Sequence, residues 1–405
     1  MHVPAQQRSS RLKASRRQTA NLMLATWVST INFWAWNMIG PLAPMYAGRL
    51  SLSSAETSLL VAAPILVGSL GRVAIGSRTD RVGGRIMFTV VSVVSILPVV
   101  GVGAAATAGS YAWLLMCGFL LGIAGTIFAV GIPFANSWYE PLHRGFATGI
   151  FGMGMAGVAL SAFFTPRLVQ RFGLLTTHTF IAVSLVANAV LCSVFMRNGP
   201  YFVVDSESGL RKLVTTIKLP VTWEMSFLYA VVFGAFMAFS NYLPVYIKNI
   251  YGSSTVDAGT RTAGFALAAV LARPLGGAAS DRLQPKYVVL ASLGGIAVLS
   301  CVAICEPPPD LWSGATFLTL AVFFGVGTGG VFAWVPRRAR ATSLGSMTGI
   351  VSAAGGLGGF FPPLIMGATY DPCGIDYTVG LLLLVMTVLV AFGYAAVRLP
   401  ARDGA

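Results

Sequence analysis

IMFTVVSVVSILPVVGVGAAATAGSYAWLLMCGFLLGIAGTIFAVGIPFANSWY, residues 86–139, runs for 54 residues between Arg85 and Glu140 without an Asp, Glu, Lys or Arg. A hydrocarbon core about 30 Å thick takes roughly 20 apolar residues of helix. This stretch is therefore long enough to cross twice, with Thr107-Ala-Gly-Ser110 at the turn. Outward from it, 31 uncharged residues separate Arg17 from Arg49, and further runs occupy 145–166, 172–196, 225–247, 287–305, 311–336, 341–370 and 377–397. Of the 405 residues 56% are hydrophobic and 10% charged, where soluble domains carry about 25% charge. A soluble enzyme, a secreted disulfide module and a disordered chain are excluded. The chain is a polytopic, all-α membrane protein.

Two further spans, about 54–77 and 256–279, are each interrupted by one charge, Arg72 and Arg273. That makes twelve expected transmembrane helices. The apolar stretch after the basic tail is too long for a signal h-region and lacks a cleavage site, so it reads as a first span. Twelve spans starting inside put both termini in the cytoplasm. Twenty Lys/Arg then fall on the cytoplasmic side and five (Arg49, Arg167, Arg171, Lys248 and Arg261) outside, as the positive-inside rule requires. The net charge of +14 thus sits in loops and tail, and speaks for a lipid bilayer and not for nucleic acid. Cys117, Cys192, Cys301 and Cys305 lie in apolar runs and Cys373 in a loop, a scatter that reads as small packing residues, with no metal-ligand spacing and no disulfide framework. No metal or other cofactor is expected.

The chain repeats at half length. Pro44-Met-Tyr46 and Ser53-Ser54 match Pro244-Val-Tyr246 and Ser253-Ser254 at an offset of 200, and Arg72 and Asp80-Arg81 match Arg273 and Asp281-Arg282 at 201. The expected organisation is a basic tail (1–19), a six-helix half (20–197), a polar linker (198–221), a second six-helix half (222–397) and a short C-terminal tail (398–405). Paired halves with a substrate site between them are a common transporter plan. The loop Gly76-x-x-x-Asp80-Arg81-x-Gly83-Gly84-Arg85, with its weaker copy from Gly277 through Asp281 and Arg282, resembles the signature between helices two and three of the major facilitator superfamily. A merely topogenic basic loop would explain the arginines but not the repeated spacing. Gly76, Asp80, Arg81, Gly277, Asp281 and Arg282 are read as a conformational lock at the cytoplasmic helix ends.

Arg72 lies eight residues before Asp80, about 12 Å up a helix, and Arg273 stands at the same remove from Asp281. Both are near the bilayer midplane. A charge there costs at least ~2.5–3.5 kcal/mol and is normally paired or functional, and no Asp or Glu occupies the interior of any span. Snorkelling is poor at this depth. Two unpaired guanidiniums related by the half-chain repeat suit a planar oxyanion that takes forked hydrogen bonds. On helix seven, Tyr229, Phe233, Phe236 and Ser240 recur at helical spacing on one face, and Phe128 sits in a glycine-rich stretch of helix four. Singly, such aromatics are as often packing residues.

Helices five and eleven read Gly149-Ile-Phe-Gly152-Met-Gly154-Met-Ala-Gly157 and Gly349-Ile-Val-Ser352-Ala-Ala-Gly355-Gly356-Leu-Gly358-Gly359. Glycines so spaced let helices approach and slide. These stretches, with Leu271-Ala-Arg273 and Trp223-Glu-Met-Ser-Phe-Leu-Tyr229, resemble the nitrate/nitrite porter family and its NarK-type transporters. The resemblance implies that Arg72 and Arg273 clamp the substrate, with Phe128, Tyr229 and Phe233 around it and Gly152, Gly154, Ser352 and Gly355 in the substrate-binding set. Where many members carry Asn in the helix-five motif, this chain has Met155.

His2 and His143 are assigned to tail and loop, and His178 to an interfacial position, which leaves no obvious side-chain proton relay. The function expected is a secondary carrier, not an enzyme, exchanging nitrate and nitrite across the cell membrane. The alternatives are proton-coupled nitrate uptake and a carrier of the same fold for another small anion. Larger carboxylates or phosphate esters would call for buried lysines, a drug/proton antiporter for a membrane-embedded acid, and a sensor for an added cytoplasmic domain. A monomer is expected.

Overall fold

Pro41 shapes the start of the bundle. It has no N–H to give the carbonyl of Asn37, so the helix breaks there, and α1 (Ala5–Trp36) is divided from α2 (Ile39–Leu50) at Asn37-Met38. The computed structural model describes residues 5–140, 144–202, 214–309, 311–338, 344–371 and 376–399. The middle of the expected linker (203–213), His2, His143, Arg340, Cys373 and the chain ends lie outside the described residues.

Eleven helices among the described residues are long and apolar enough to span a membrane. They are α3 (Ser54–Val82), α4 (Gly84–Ala108), α5 (Tyr111–Trp138), α6 (Ala147–Phe172), α7 (Leu174–Phe195), α8 (Pro220–Tyr251), α9 (Thr255–Arg282), α10 (Pro285–Ile304), α11 (Leu311–Arg338), α12 (Met347–Ala368) and α13 (Thr378–Arg398). Where the first of twelve crossings was expected stand α1 and α2. The turn expected at 107–110 is present: α4 ends at Ala108, Gly109 takes φ 73°, and Ser110 caps α5.

The start of α3 is fixed by a reciprocal cap. The Ser53 hydroxyl accepts from the Glu56 amide while the Glu56 carboxylate accepts from the Ser53 amide, which satisfies two orphan donors. In α9 the cap is Ser254, accepting from the Asp257 amide. The capping serines are thus 201 apart, the offset of the arginines, and not 200 as the Ser-Ser pairs suggested. Each arginine stands 19 residues beyond its capping serine.

Helices α1–α7 pack chiefly on one another, and so do α8–α13. The two groups meet along α2 with α8, α3 with α12 and α6 with α9. Call the ends that carry Val82, Phe195 and Arg398 the tail end, and the opposite one the far end. At the far end the groups touch closely: a Cβ on Gly40 would lie 2.8 Å from the Asn241 carbonyl oxygen, and one on Gly259 2.4 Å from that of Ala162. Polar contacts join them there too, from Ser58 to Tyr242 and from Arg167 to Thr260. Toward the tail end a Cβ on Gly149, Gly152, Gly277 or Gly349 would meet nothing within 4 Å. Among the described residues the groups part there.

Two expectations for single residues are corrected. Cys117 and Cys192 are buried, but Cys301 and Cys305 are exposed on the outside of the bundle, so only the first pair are packing residues. His178 stands one turn inside the start of α7, as expected near a helix end, but does not face outward. It is buried inside the first group, with Nδ1 2.8 Å from the Leu174 carbonyl and Nε2 3.3 Å from the Tyr46 hydroxyl.

Candidate substrate site between the helix groups

The site is built where α3 and α9 carry their arginines past the middle of the bundle. Arg72 is buried beneath two aromatic rings. Its guanidinium lies 5.2 Å from the Phe128 ring centre and 5.8 Å from that of Trp36, within cation–π range. Trp36 is held there by its indole N–H, which donates to the Pro64 carbonyl at 2.9 Å. Gly125 lets α5 close against that ring, since a Cβ would come within 2.5 Å of it.

Across the group boundary, Arg72 Nη1 donates to the carbonyl oxygen and hydroxyl of Ser352 on α12, at 3.0 and 3.1 Å. Its Nε and Nη2 are buried without a hydrogen-bond partner. A desolvated cation with two unused donors is costly. It is also a forked donor waiting for an acceptor.

Arg273 is less buried and differently held. Nη2 donates to the Tyr229 hydroxyl at 3.1 Å, Nη1 meets the thioether of Met155, and the guanidinium lies 5.4 Å from the Phe233 ring centre. Tyr229 and Phe233 stack at 4.9 Å, and Phe332 closes edge-on against Tyr229 at 4.7 Å. The two guanidiniums are within electrostatic range of each other and of Tyr229. Among the described residues neither arginine forms an ion pair.

Of the residues assigned from sequence, Arg72, Phe128 and Ser352 come together on one side, and Arg273, Tyr229 and Phe233 on the other. Gly355 joins them by position: a Cβ there would sit 2.1 Å from the Tyr229 ring. Gly154 does not. It packs on α1, where a Cβ would be 3.0 Å from both Ser29 and the Thr26 carbonyl oxygen, so it serves helix contact and is not brought to the arginines. Gly152 stands in open space near the parting of the groups. Phe236 turns to Phe233 and Phe265. Trp36 and Phe332 were not assigned to the site: nothing in the spacing of Trp36 ties it to an arginine, whereas Phe332-Ala333 repeats Phe128-Ala129 in the second half. Met155, singled out as a departure, proves to be a direct neighbour of Arg273.

The residues read from sequence as a lock lie at the tail end. Asp281 pairs with Arg337 of α11 at 3.2 Å, and Arg337 also donates to the Ser280 carbonyl at 3.0 Å. This exposed pair ties neighbouring helix ends within the second group and is weak. A Cβ on Gly76 would lie 3.7 Å from that of Ala129, one on Gly277 would meet nothing within 4 Å, and Asp80, Arg81 and Arg282 are exposed.

A family profile described as Major Facilitator Superfamily matches residues 25–363 and 226–404. The chain is 66% identical over 383 residues, 95% of its own length and 97% of the relative's, to a probable nitrate/nitrite transporter NarK2 of Mycobacterium tuberculosis (strain ATCC 25618 / H37Rv). It is 34% identical to a nitrite extrusion protein of Bacillus subtilis (strain 168), covering 93% of each chain. A probable nitrate transporter NarT of Staphylococcus haemolyticus (strain JCSC1435) is 32% identical, over 91% of this chain and 94% of that one. Among solved structures, a bacterial homologue of the human lysosomal transporter Spinster, inward-facing and unoccupied, superposes with a TM-score of 0.71 at 18% identity, over 94% of this chain and 96% of that one. The human organic anion transporter MFSD10 gives 0.68 at 14%, over 93% and 99%. These last two show the fold alone.

Proposed function

The chain belongs to the NarK-type nitrate/nitrite branch of the major facilitator superfamily, a family of carriers and not of enzymes, and from that premise we propose that it exchanges nitrate and nitrite between its paired arginines. The observation that carries this reading is Arg72: a buried guanidinium with Nε and Nη2 unpartnered, facing a second arginine from the other helix group, with no carboxylate on either. Nitrate and nitrite are planar, weakly hydrated and singly charged. They match a fork of N–H donors between aromatic walls, and the names of the relatives point to the same substrates.

Exchange follows from the charge. Two guanidiniums brought to about 8 Å repel by about 2 kcal/mol at an effective dielectric of 20, and each buried cation adds several kcal/mol of desolvation. A bound anion offsets both. The loaded carrier therefore closes around its substrate and reopens on the other side, while the empty one is held back. The excess of basic residues at the tail end supports a cytoplasmic tail end, and on that reading the far end is shut and the carrier is open inward. Gly76, Asp80, Arg81 and their counterparts Gly277, Asp281 and Arg282 then act at the cytoplasmic helix ends, where closure must form new contacts.

The test is nitrate uptake into proteoliposomes loaded with nitrite, with nitrate, or with no permeant anion. Fast uptake is expected in the first two and slow uptake in the third. Fast uptake into empty vesicles under an inward proton gradient would overturn exchange in favour of proton-coupled entry.

A further inference from the structure

Above the contacts that shut the far end, the two helix groups enclose a hollow of about 260 Å³. One water takes about 30 Å³, so a hydrated oxyanion fits with room to spare. Both groups supply its walls, with Pro44 and Thr57 from one and Tyr242, Lys248, Asn249 and Tyr370 from the other. Lys248 is the one charged side chain among the described lining residues. Its ammonium donates to the Pro44 carbonyl at 3.3 Å, a neutral partner that leaves the charge uncancelled and two of three N–H bonds free.

The nearby carboxylates keep their charge, but none of them is among the residues that line the hollow. Glu56 is taken by the amide and hydroxyl of Ser53, at 2.9 and 2.8 Å. Asp376 accepts from the Thr378 amide and hydroxyl, at 2.7 and 2.5 Å, and those bonds hold its carboxyl below the ordinary range. Asp371 follows Tyr370 and exchanges backbone hydrogen bonds with Asp376. Tyr242, which lines the hollow, accepts a hydrogen bond from the Ser58 hydroxyl at 3.3 Å. That bond joins the two groups, and it must break for the far end to open.

We propose that this hollow is an entrance site for the transported oxyanion, held by Lys248 before the far end opens onto the arginines. The inference rests on the exchange reading and on the far end facing outside. A single positive charge in a confined polar mouth raises the local concentration of anions. It does so without the desolvation that makes the arginine site tight, so the anion is held loosely and passed on.

The test is the half-saturation constant for nitrate measured separately from each side, in right-side-out and inside-out vesicles loaded with nitrite. Lys248→Gln is expected to raise the outer constant roughly fourfold, the factor that a unit charge at about 5 Å contributes in a water-filled cavity. The inner constant stays the same, and Lys248→Arg restores the outer one. Raising the ionic strength with an impermeant salt should erase the difference between wild type and Lys248→Gln. An unchanged outer constant in Lys248→Gln, or an equal rise on both sides, overturns the entrance site. Absence of nitrate–nitrite exchange in the wild type would instead overturn the exchange reading, a result seen before any variant is made.

Discussion

At the scale of the residue, the two arginines are alike in sequence and unlike in their surroundings. Arg72 is gripped by Ser352 and roofed by Phe128 and Trp36, whereas Arg273 leans on Tyr229 and a thioether. A Lys keeps the charge but cannot reproduce the planar fork. Arg72→Lys and Arg273→Lys are therefore both expected to lose nearly all nitrate counterflow while still inserting in the membrane. Near-normal counterflow in either would remove that residue from the clamp. Tyr229→Phe keeps the stack on Phe233 and deletes one acceptor for Arg273. A hydrogen bond to a charged group is worth about 1.5–3 kcal/mol, so half-saturation should rise by roughly ten- to a hundredfold, with expression unchanged. Unaltered half-saturation would show that Tyr229 does not position Arg273 for the substrate.

Helix by helix, the glycines fall into two populations. Some are pressed against backbone in this state. A Cβ on Gly276 would sit 2.0 Å from the Val326 carbonyl oxygen, and one on Gly157 2.0 Å from that of Thr30. Backbone cannot move aside as a flexible side chain can, so Gly276→Ala should separate α9 from α11 and lower the melting temperature by several degrees. Its neighbour Gly277 meets nothing within 4 Å, and neither do Gly152 and Gly349. These three lie where the groups part, and close approach of helices at small residues is needed there only when the tail end shuts. Gly152→Leu and Gly349→Leu should leave the melting temperature within a degree or two of wild type while exchange stops. A large fall in melting temperature for these two would make them packing glycines of the state described here.

For the molecule as a whole, transport requires the far end to open, and the contacts that now shut it are close enough to trap. A Cβ on Gly367 would lie 2.5 Å from that of Ser58, on α12 and α3 from opposite groups. The pair Ser58→Cys with Gly367→Cys, with the native cysteines replaced, needs only a small relaxation to reach the usual disulfide separation of about 3.8 Å. Oxidation should abolish exchange and dithiothreitol should restore it. Undiminished exchange in the oxidised, fully cross-linked protein would show that the far end need not open.

What the sequence determined by itself was set by period and composition. Uncharged runs of helical length in a chain with 10% charge have no water-soluble solution, and backbone polar groups in hydrocarbon must be satisfied within helices. The spans, the repeat and the matching positions of Arg72 and Arg273 along their helices follow from counting residues along a rise of 1.5 Å. Counting along one helix says nothing about which face meets another helix. Hence Gly152 and Gly154, alike in the motif, part company in three dimensions, one in open space and one against α1. Hence too Trp36 and Met155 reach an arginine from distant positions in the chain with no spacing to announce it. The break at Asn37 was not read from the sequence, where a single first span was expected, and neither was its use in bringing α2 against α8 at Gly40 and Asn241. Which end of the bundle is shut was decided only by tertiary structure, because both closures use the same helices and the same glycines, and they differ in which of those glycines are in contact.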